Sequence, residues 1–413
     1  MSQRAITIAA VAVVAGAISF VPQNRAQQLT KSDAPLRTGR LSDQSTSEKT
    51  TDDASNKRRA PRMEVLSEAE WRRIDEAVAA ALRYLASHQN EDGSFASDDA
   101  GQPAVTSLCV MAFLSAGHQP GYGPYGRLIE RAVDFALSCQ REEGLFSLGP
   151  VDTPIAGNWN GPTHAATYNH SITGLMLGEV YGQTGAERSQ RIRPAIERAI
   201  AYTRKLQERP KRFPIDNGGV RYVRDVATGP GGGDADMSVT AWHLMFLRST
   251  KNAGFDVPVK WVNEMLEFVP TLYDPQTGGF KYAHYRGGTY ITRGMTGAGV
   301  LSLFLSGRYN DQIEAGAGRW ILEHPFHPYG QGIRLHDRYH YAGYYCSQAA
   351  LMIGGQFWEK FYPDFADVLL DNQQPDGAWP LEKQDEKFGH TYSTSLAVLS
   401  LTPPYQLLPI YQR

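Results

Sequence analysis

Cysteine is scarce. Cys109, Cys139 and Cys346 are the only three in 413 residues. That is too few for a disulfide framework, and they read as fillers of small apolar sites. An excess of charge is also missing: 41 Lys and Arg stand against 43 Asp and Glu, a net charge of -2. This leaves no electrostatic case for nucleic acid as a partner. The glycine-rich run Gly229 to Asp234 lacks a following Lys-Ser/Thr and a preceding strand, so it reads as a flexible loop and not a phosphate cradle. Long apolar runs are absent except for one, Ala5 to Val21. What is present, 42% hydrophobic and 20% charged residues, suits a globular domain with a large core.

The apolar run follows Arg4 and reads as an export signal within residues 1–26, with Ala26 next to the expected cleavage point. An uncleaved N-terminal membrane anchor is the alternative, and a buried core helix ranks behind both. Residues 27–62 are rich in Ser, Thr, Asp, Lys and Arg and read as a flexible linker. The folded domain is expected over residues 63–413, exported and facing the periplasm.

Within it a short string recurs: Gln89 to Phe95, Gln140 to Phe146 and Gln373 to Trp379 all read Gln-x-x-x-Gly-x-aromatic, with a weaker copy from Asp274 to Phe280. Such repetition marks one structural unit used several times. Amphipathic helical spacing precedes each string, as in Ile74, Val78, Ala81, Leu82 and Leu85. A more apolar helical stretch follows each, as in Tyr168 to Tyr181 and Met237 to Ala253. Helices apolar on nearly all sides are buried. Six such hairpins without polar capping repeats predict an all-α, closed double ring, an (α/α)6 toroid. The Gly of each string turns the chain, the aromatic packs under the next hairpin, and the Gln satisfies loose backbone groups at a helix end.

The strings resemble the QW motifs of the squalene/hopene cyclases. The hairpin pattern is similar to the α/α toroid that those cyclases share with protein prenyltransferase β subunits and with exported bacterial repeat proteins of unassigned activity. The resemblance to the cyclases implies an acidic motif heading an inner helix. Asp234-Ala235-Asp236-Met237-Ser238 is the nearest match, with Asp236 in the place of the proton donor and Asp234 beside it. Met237 departs from the last Asp of that motif, and an N-cap role for Asp234 or Asp236 is the competing reading. Such a cap and the helix dipole would favour the ionised carboxylate. The resemblance to the prenyltransferases implies zinc. Cys346 and His390 match two ligands in kind, but Tyr344 stands where the Asp should be, and Asp337, His336 or His340 would have to complete the set. No metal and no cofactor is therefore expected. The Cys-Gly-Glu-Gln of thioester-bearing toroids is absent.

The long connections at residues 147–167, 208–236, 282–294 and 323–342 all precede inner helices and should gather on one rim. Arg221, Arg224, Arg286, Arg293, Arg334 and Arg338 lie in them. Inner-helix N-termini add a positive field there. Tyr168, Trp242, Tyr290, Tyr345 and Tyr392 are expected at the mouth or inner wall, with Arg293 among the ligand contacts. An apolar funnel with an aromatic wall and a cationic rim suits a small-molecule, lipid or glycan ligand, amphiphilic or extended. The first expectation is a ligand-binding module without cyclase activity. A terpenoid-cyclase-like enzyme with Asp236 as acid, and a polysaccharide-active toroid enzyme, are the alternatives.

Overall fold

Six helical hairpins succeed one another along the chain in a computed structural model that describes residues 65–151, 161–223, 234–285 and 289–412. The expected export signal, the linker, Arg224, Arg286 and most of the glycine-rich loop lie outside these residues. The outer helices are α1 (Glu68–Ser87), α3 (Gly126–Ser138), α5 (Ala186–Gln207), α7 (Val259–Phe268), α9 (Asp311–Glu323) and α11 (Gly355–Asp371). The inner helices are α2 (Ala104–Ser115), α4 (Pro162–Val180), α6 (Met237–Asn252), α8 (Arg293–Leu305), α10 (Tyr339–Ile353) and α12 (Gly389–Leu401). Each inner helix packs on the next, and α12 packs on α2, so the inner ring closes. Among the described residues the fold is an all-α toroid with no strands longer than isolated bridges.

The division into rings follows from the side chains. Every residue of α2 is buried, whereas α1 buries only the face carrying Ile74, Ala77, Val78, Ala81, Leu82, Tyr84 and Leu85. The start of α1 is a capping box: Ser67 accepts from the Glu70 amide, and the Glu70 carboxylate accepts from the Ser67 amide. Inner helices begin earlier than apolar spacing suggests, α4 at Pro162 and α10 at Tyr339. Their first turns carry polar and aromatic residues, of which His164 and Tyr341 line the hollow, and this hides them from a periodicity reading. Helix α5 also starts before Pro194, because Arg188 and Arg191 hold its first turns to Glu130 and Asp134 of α3.

The recurring string is the joint between hairpins. Gln89 Nε2 donates to the Leu128 carbonyl on α3, and Gln140 Nε2 to the Ala195 carbonyl on α5. Gln373 Nε2 reaches back to the Ala77 carbonyl of α1, at 2.9 Å, and seals the ring. Gln207 does the same to the Trp261 carbonyl of α7. This third copy, from Gln207 to Gly218, is missed in the sequence because its spacer is longer. The glycine sits at positive φ and lies against the backbone of the next outer helix: a Cβ on Gly218 would fall 1.9 Å from the Glu264 oxygen. The aromatic residue two positions after the glycine then donates its amide to the inner helix, as Phe95 to Thr106, Phe280 to Thr296 and Trp379 to Thr394.

The far end of the ring is shut. The C-terminal tail crosses it, with Ile410 donating to Glu179 of α4, Tyr411 bonded to Tyr344 of α10, and Thr402 donating to Ser115 of α2. The hollow is thus a cup open at the inner-helix N-termini.

Candidate functional site

The cup holds a cavity of about 450 Å³, within the range of ~300–1,000 Å³ usual for small-molecule sites. Its floor is apolar, built from Val105, Leu108, Ile172, Trp242, Met295 and Leu396 of five inner helices. Its collar is phenolic: Tyr168, Tyr222, Tyr282, Tyr285, Tyr290, Tyr341 and Tyr392. Arg221, Arg338, His164, His336 and Asp385 supply the charge and the imidazoles.

Tyr168, Tyr341 and Tyr392 stand near the starts of α4, α10 and α12, and the other collar residues are fixed by long connections. The strand-like segment before α6 is pinned when Val220 donates to Thr240 and Val223 to Thr167. That sets Arg221 and Tyr222 at the mouth. The Tyr282 amide donates to the Tyr290 carbonyl, and its own carbonyl accepts from Met237 at the start of α6. The phenols of Tyr222 and Tyr282 hydrogen-bond at 2.6 Å. Tyr282 and Tyr290 stack with centroids 5.1 Å apart, and His336 stacks on Tyr290.

Arg221 lies in this aromatic nest, 9% exposed, with Tyr222, Tyr282 and Tyr285 around its guanidinium. Nη2 donates to the Tyr285 hydroxyl at 2.9 Å. Its Nε and Nη1 are buried and have no hydrogen-bond partner among the described residues. Burial works against the charge, but Tyr282, Asp236 and the other phenols outweigh it and hold Arg221 firmly protonated. Across the cavity Arg338 donates to Asp385, whose other oxygen, Oδ2, is buried and without a partner among the described residues. Burial raises the Asp385 carboxyl to about 6, against the pull of Arg338. His164 is pushed down to about 3 by burial and by Arg338 and Arg221, so it is a neutral imidazole at ordinary pH.

Of the residues expected from sequence at the mouth or inner wall, Tyr168, Trp242, Tyr290 and Tyr392 line the cavity. Arg293 and Tyr345 do not. Arg293 is fully buried and bonded through Nε to Asp337 at 2.8 Å, with Nη1 and Nη2 on the carbonyls of Pro325 and Gln331 and its plane over Phe326. It is a structural clamp, because burial in the α9–α10 connection gives it a complete set of protein partners. Tyr345 is buried in α10 and packs edge-on to Trp242. Of the rim arginines, Arg221 and Arg338 reach the cavity, while Arg334 is exposed outside it.

Asp236 is the N-cap of α6: Oδ1 accepts from the Val239 amide at 2.9 Å and from Ser238 Oγ at 2.6 Å. The net direction differs from that expected of a cap. Burial is the largest influence and raises the carboxyl, although Arg221, Ser238 and the Val239 amide oppose it. Asp236 does not itself line the cavity, but Ser238 and Tyr168, hydrogen-bonded to each other at 2.8 Å, do. Asp234 lies outside the cavity lining, on Arg212, which donates to it from both backbone and side chain. Cys346 donates to the Arg293 carbonyl and His390 bonds the Trp379 carbonyl. They do not come together, and no group of three potential ligands forms among the described residues.

Sequence reasoning passed over Tyr222, Tyr282, Tyr285 and His164 and named His336 only as a possible zinc ligand, although all five lie in connections it had placed on the rim or, for Tyr282 and His164, at their ends. Asp385 lies in the shorter connection before α12, which carried no signal of length.

No family model matches the chain, and no curated protein matches it in sequence. Solved structures match in fold. A type II terpene cyclase from Scytonema, in complex with merosterolic acid A, superposes with a TM-score of 0.52 and 16% identity over 83% of this chain and 100% of its own. An alpha-1,6-mannanase of Salegentibacter, in complex with a mannotetraose, gives 0.54 and 11% over 80% and 99%. A sugar epimerase from a ruminal bacterium gives 0.55 and 12% over 80% and 98%. The molecule is an α/α toroid of the architecture found in these enzymes.

Proposed function

We propose that the cup is a binding chamber for a small amphiphile, with an anionic head on Arg221 and an apolar body on the Trp242 floor. The observation that carries this reading is the state of Arg221: a cavity-lining guanidinium with Nε and Nη1 buried and unmet among the described residues. Leaving a buried donor unmet costs on the order of 1–3 kcal/mol, and more where it is charged. An oxyanion of a ligand removes that cost and gains a charge-assisted bond. The apolar N-terminal run supports placing the protein outside the cytoplasm. The fold neighbours include proteins solved with merosterolic acid A and with alpha-1,6-mannotetrose, which supports a ligand-binding role for this fold here.

The test uses anilinonaphthalene sulfonate, an apolar dye with one anionic group. Its fluorescence should rise on titration into the protein, and Arg221→Met should weaken binding by about tenfold or more with the melting temperature little changed. Equal binding by wild type and variant refutes the reading.

A second reading, acid catalysis from Asp236, draws support from one observation. The buried carboxyl is linked through Ser238 to Tyr168 on the cavity wall. Conversion of a polyene substrate by the wild type and its loss in Asp236→Asn would favour it over binding alone.

A further inference from the structure

We propose that the ligand has two polar ends: an oxyanion at Arg221 and a neutral hydrogen-bond donor, such as a hydroxyl, at Asp385. The inference rests on the reading of Arg221 given above and names the chemistry of the opposite wall. Arg221 precedes α6 and Asp385 precedes α12. In the closed inner ring these helices are half a turn apart, and both residues line the one cavity. Asp385 is 3% exposed; Arg338 occupies one of its oxygens, and Oδ2 has no partner among the described residues. A buried carboxylate oxygen left without a donor is as unfavourable as the unmet guanidinium facing it. Arg338 already balances the charge of Asp385, so a neutral donor fits the remaining oxygen better than an ammonium does. Leu108, Ile172, Met295 and Leu396 give the same cavity its apolar floor. The ligand class is therefore a hydroxylated carboxylic acid whose acid and hydroxyl are separated by an apolar span.

The probes are fatty acids in a graded series of lengths, each ending in a hydroxyl, a methyl ketone or a plain methyl group, titrated by calorimetry. Wild type should favour the hydroxyl end over the ketone end by about tenfold at the best length. The carboxylate accepts from a hydroxyl and repels a ketone oxygen. In Asp385→Asn the amide oxygen can keep Arg338 while its N–H donates to the ligand, so ketone-ended acids should gain and the preference should vanish or reverse. Equal binding of the three ends by wild type overturns the proposal, as does an unchanged preference in a folded Asp385→Asn protein. Failure of every probe to bind wild type, or binding indifferent to Arg221→Met, would instead locate the error in the Arg221 reading, and the proposal would fall with it.

Discussion

Trp242 of α6 and Tyr344 of α10 stack with ring centroids 5.5 Å apart and planes 7° from parallel. Their helices are not neighbours in the inner ring, so the pair spans the hollow. Tyr344 then bonds Tyr411 of the tail, and this column divides an open mouth from a plugged base. Trp242→Ala should therefore cost about 3–5 kcal/mol, the usual loss for emptying a large aromatic site. Tyr411→Phe, which removes one hydroxyl, should cost only about 1 kcal/mol. Chemical denaturation measures both. A Trp242→Ala loss no larger than that of Tyr411→Phe would mean that the column does not support the ring.

The five joints are built on glycine for two separable reasons, positive φ and close approach, and Gly254, in the turn after α6 and outside the joints, carries only the first. Gly218 has φ +84 and a virtual Cβ 1.9 Å from the Glu264 oxygen; Gly254 has φ +87 and nothing within 4 Å. Gly254→Ala should thus lose only the left-handed backbone preference, about 1–2 kcal/mol. Gly218→Ala must also push α7 away from the turn, and should lose about 2 kcal/mol more by the overpacking it forces. Equal melting temperatures for the two variants would contradict the close approach seen here.

The same joints explain how much of the fold could be read in advance. The string Gln-x-x-x-Gly-x-aromatic is visible because one geometric demand recurs with one spacing. Where the spacer lengthens, from Gln207 to Gly218, the contact survives and the pattern does not. The ring of amphipathic outer and apolar inner helices was equally legible, since burial on one face or all faces leaves a period in the sequence. The site was less so. Tyr168 and Trp242 could be placed by helix position, but Arg221 and Arg293 look alike in sequence. Only the partners that folding brings from distant segments, Asp337 for Arg293 and phenols for Arg221, separate a clamp from a candidate ligand contact. Asp385 gave no sign, because its environment is assembled from Arg338 and the cavity wall.

That contrast between arginines can be measured. Arg293 and Asp337 are both within 1% of full side-chain burial, and removing one partner of such a pair leaves an uncompensated charge. Arg293→Met should cost about 3–5 kcal/mol. Asp337→Leu should be at least as harmful, since that carboxylate also accepts from the amides of Arg293 and Ile333. Arg221→Met should lower stability little while weakening anionic ligands. If the two arginine variants prove alike in both denaturation and dye binding, the distinction drawn from their partners is wrong.

The tail latch predicts a pH dependence. Burial raises Glu179 from 4.5 to about 7, against the hydrogen bonds from Ser249 and Ile410. An acid whose folded value is raised contributes stability that is full below its unfolded value and is lost as pH rises through the folded value. The Glu179 contribution should therefore be present near pH 4 and decline between 4.5 and about 7. The full loss is on the order of 3 kcal/mol. Asp385 and Glu382, raised to about 6 and about 7, add slopes of the same sign. Buried His170 and His243, both lowered, add the opposite one. The difference between wild type and Glu179→Gln isolates the latch from all of these. The glutamine oxygen can accept from Ile410 and its amide can donate to Ser249, so the tail stays seated. Glu179→Gln should gain stability over wild type above about pH 7 and show little gain near pH 4. A gain of equal size at both ends of that range would show that Glu179 does not titrate with the closure of the cup.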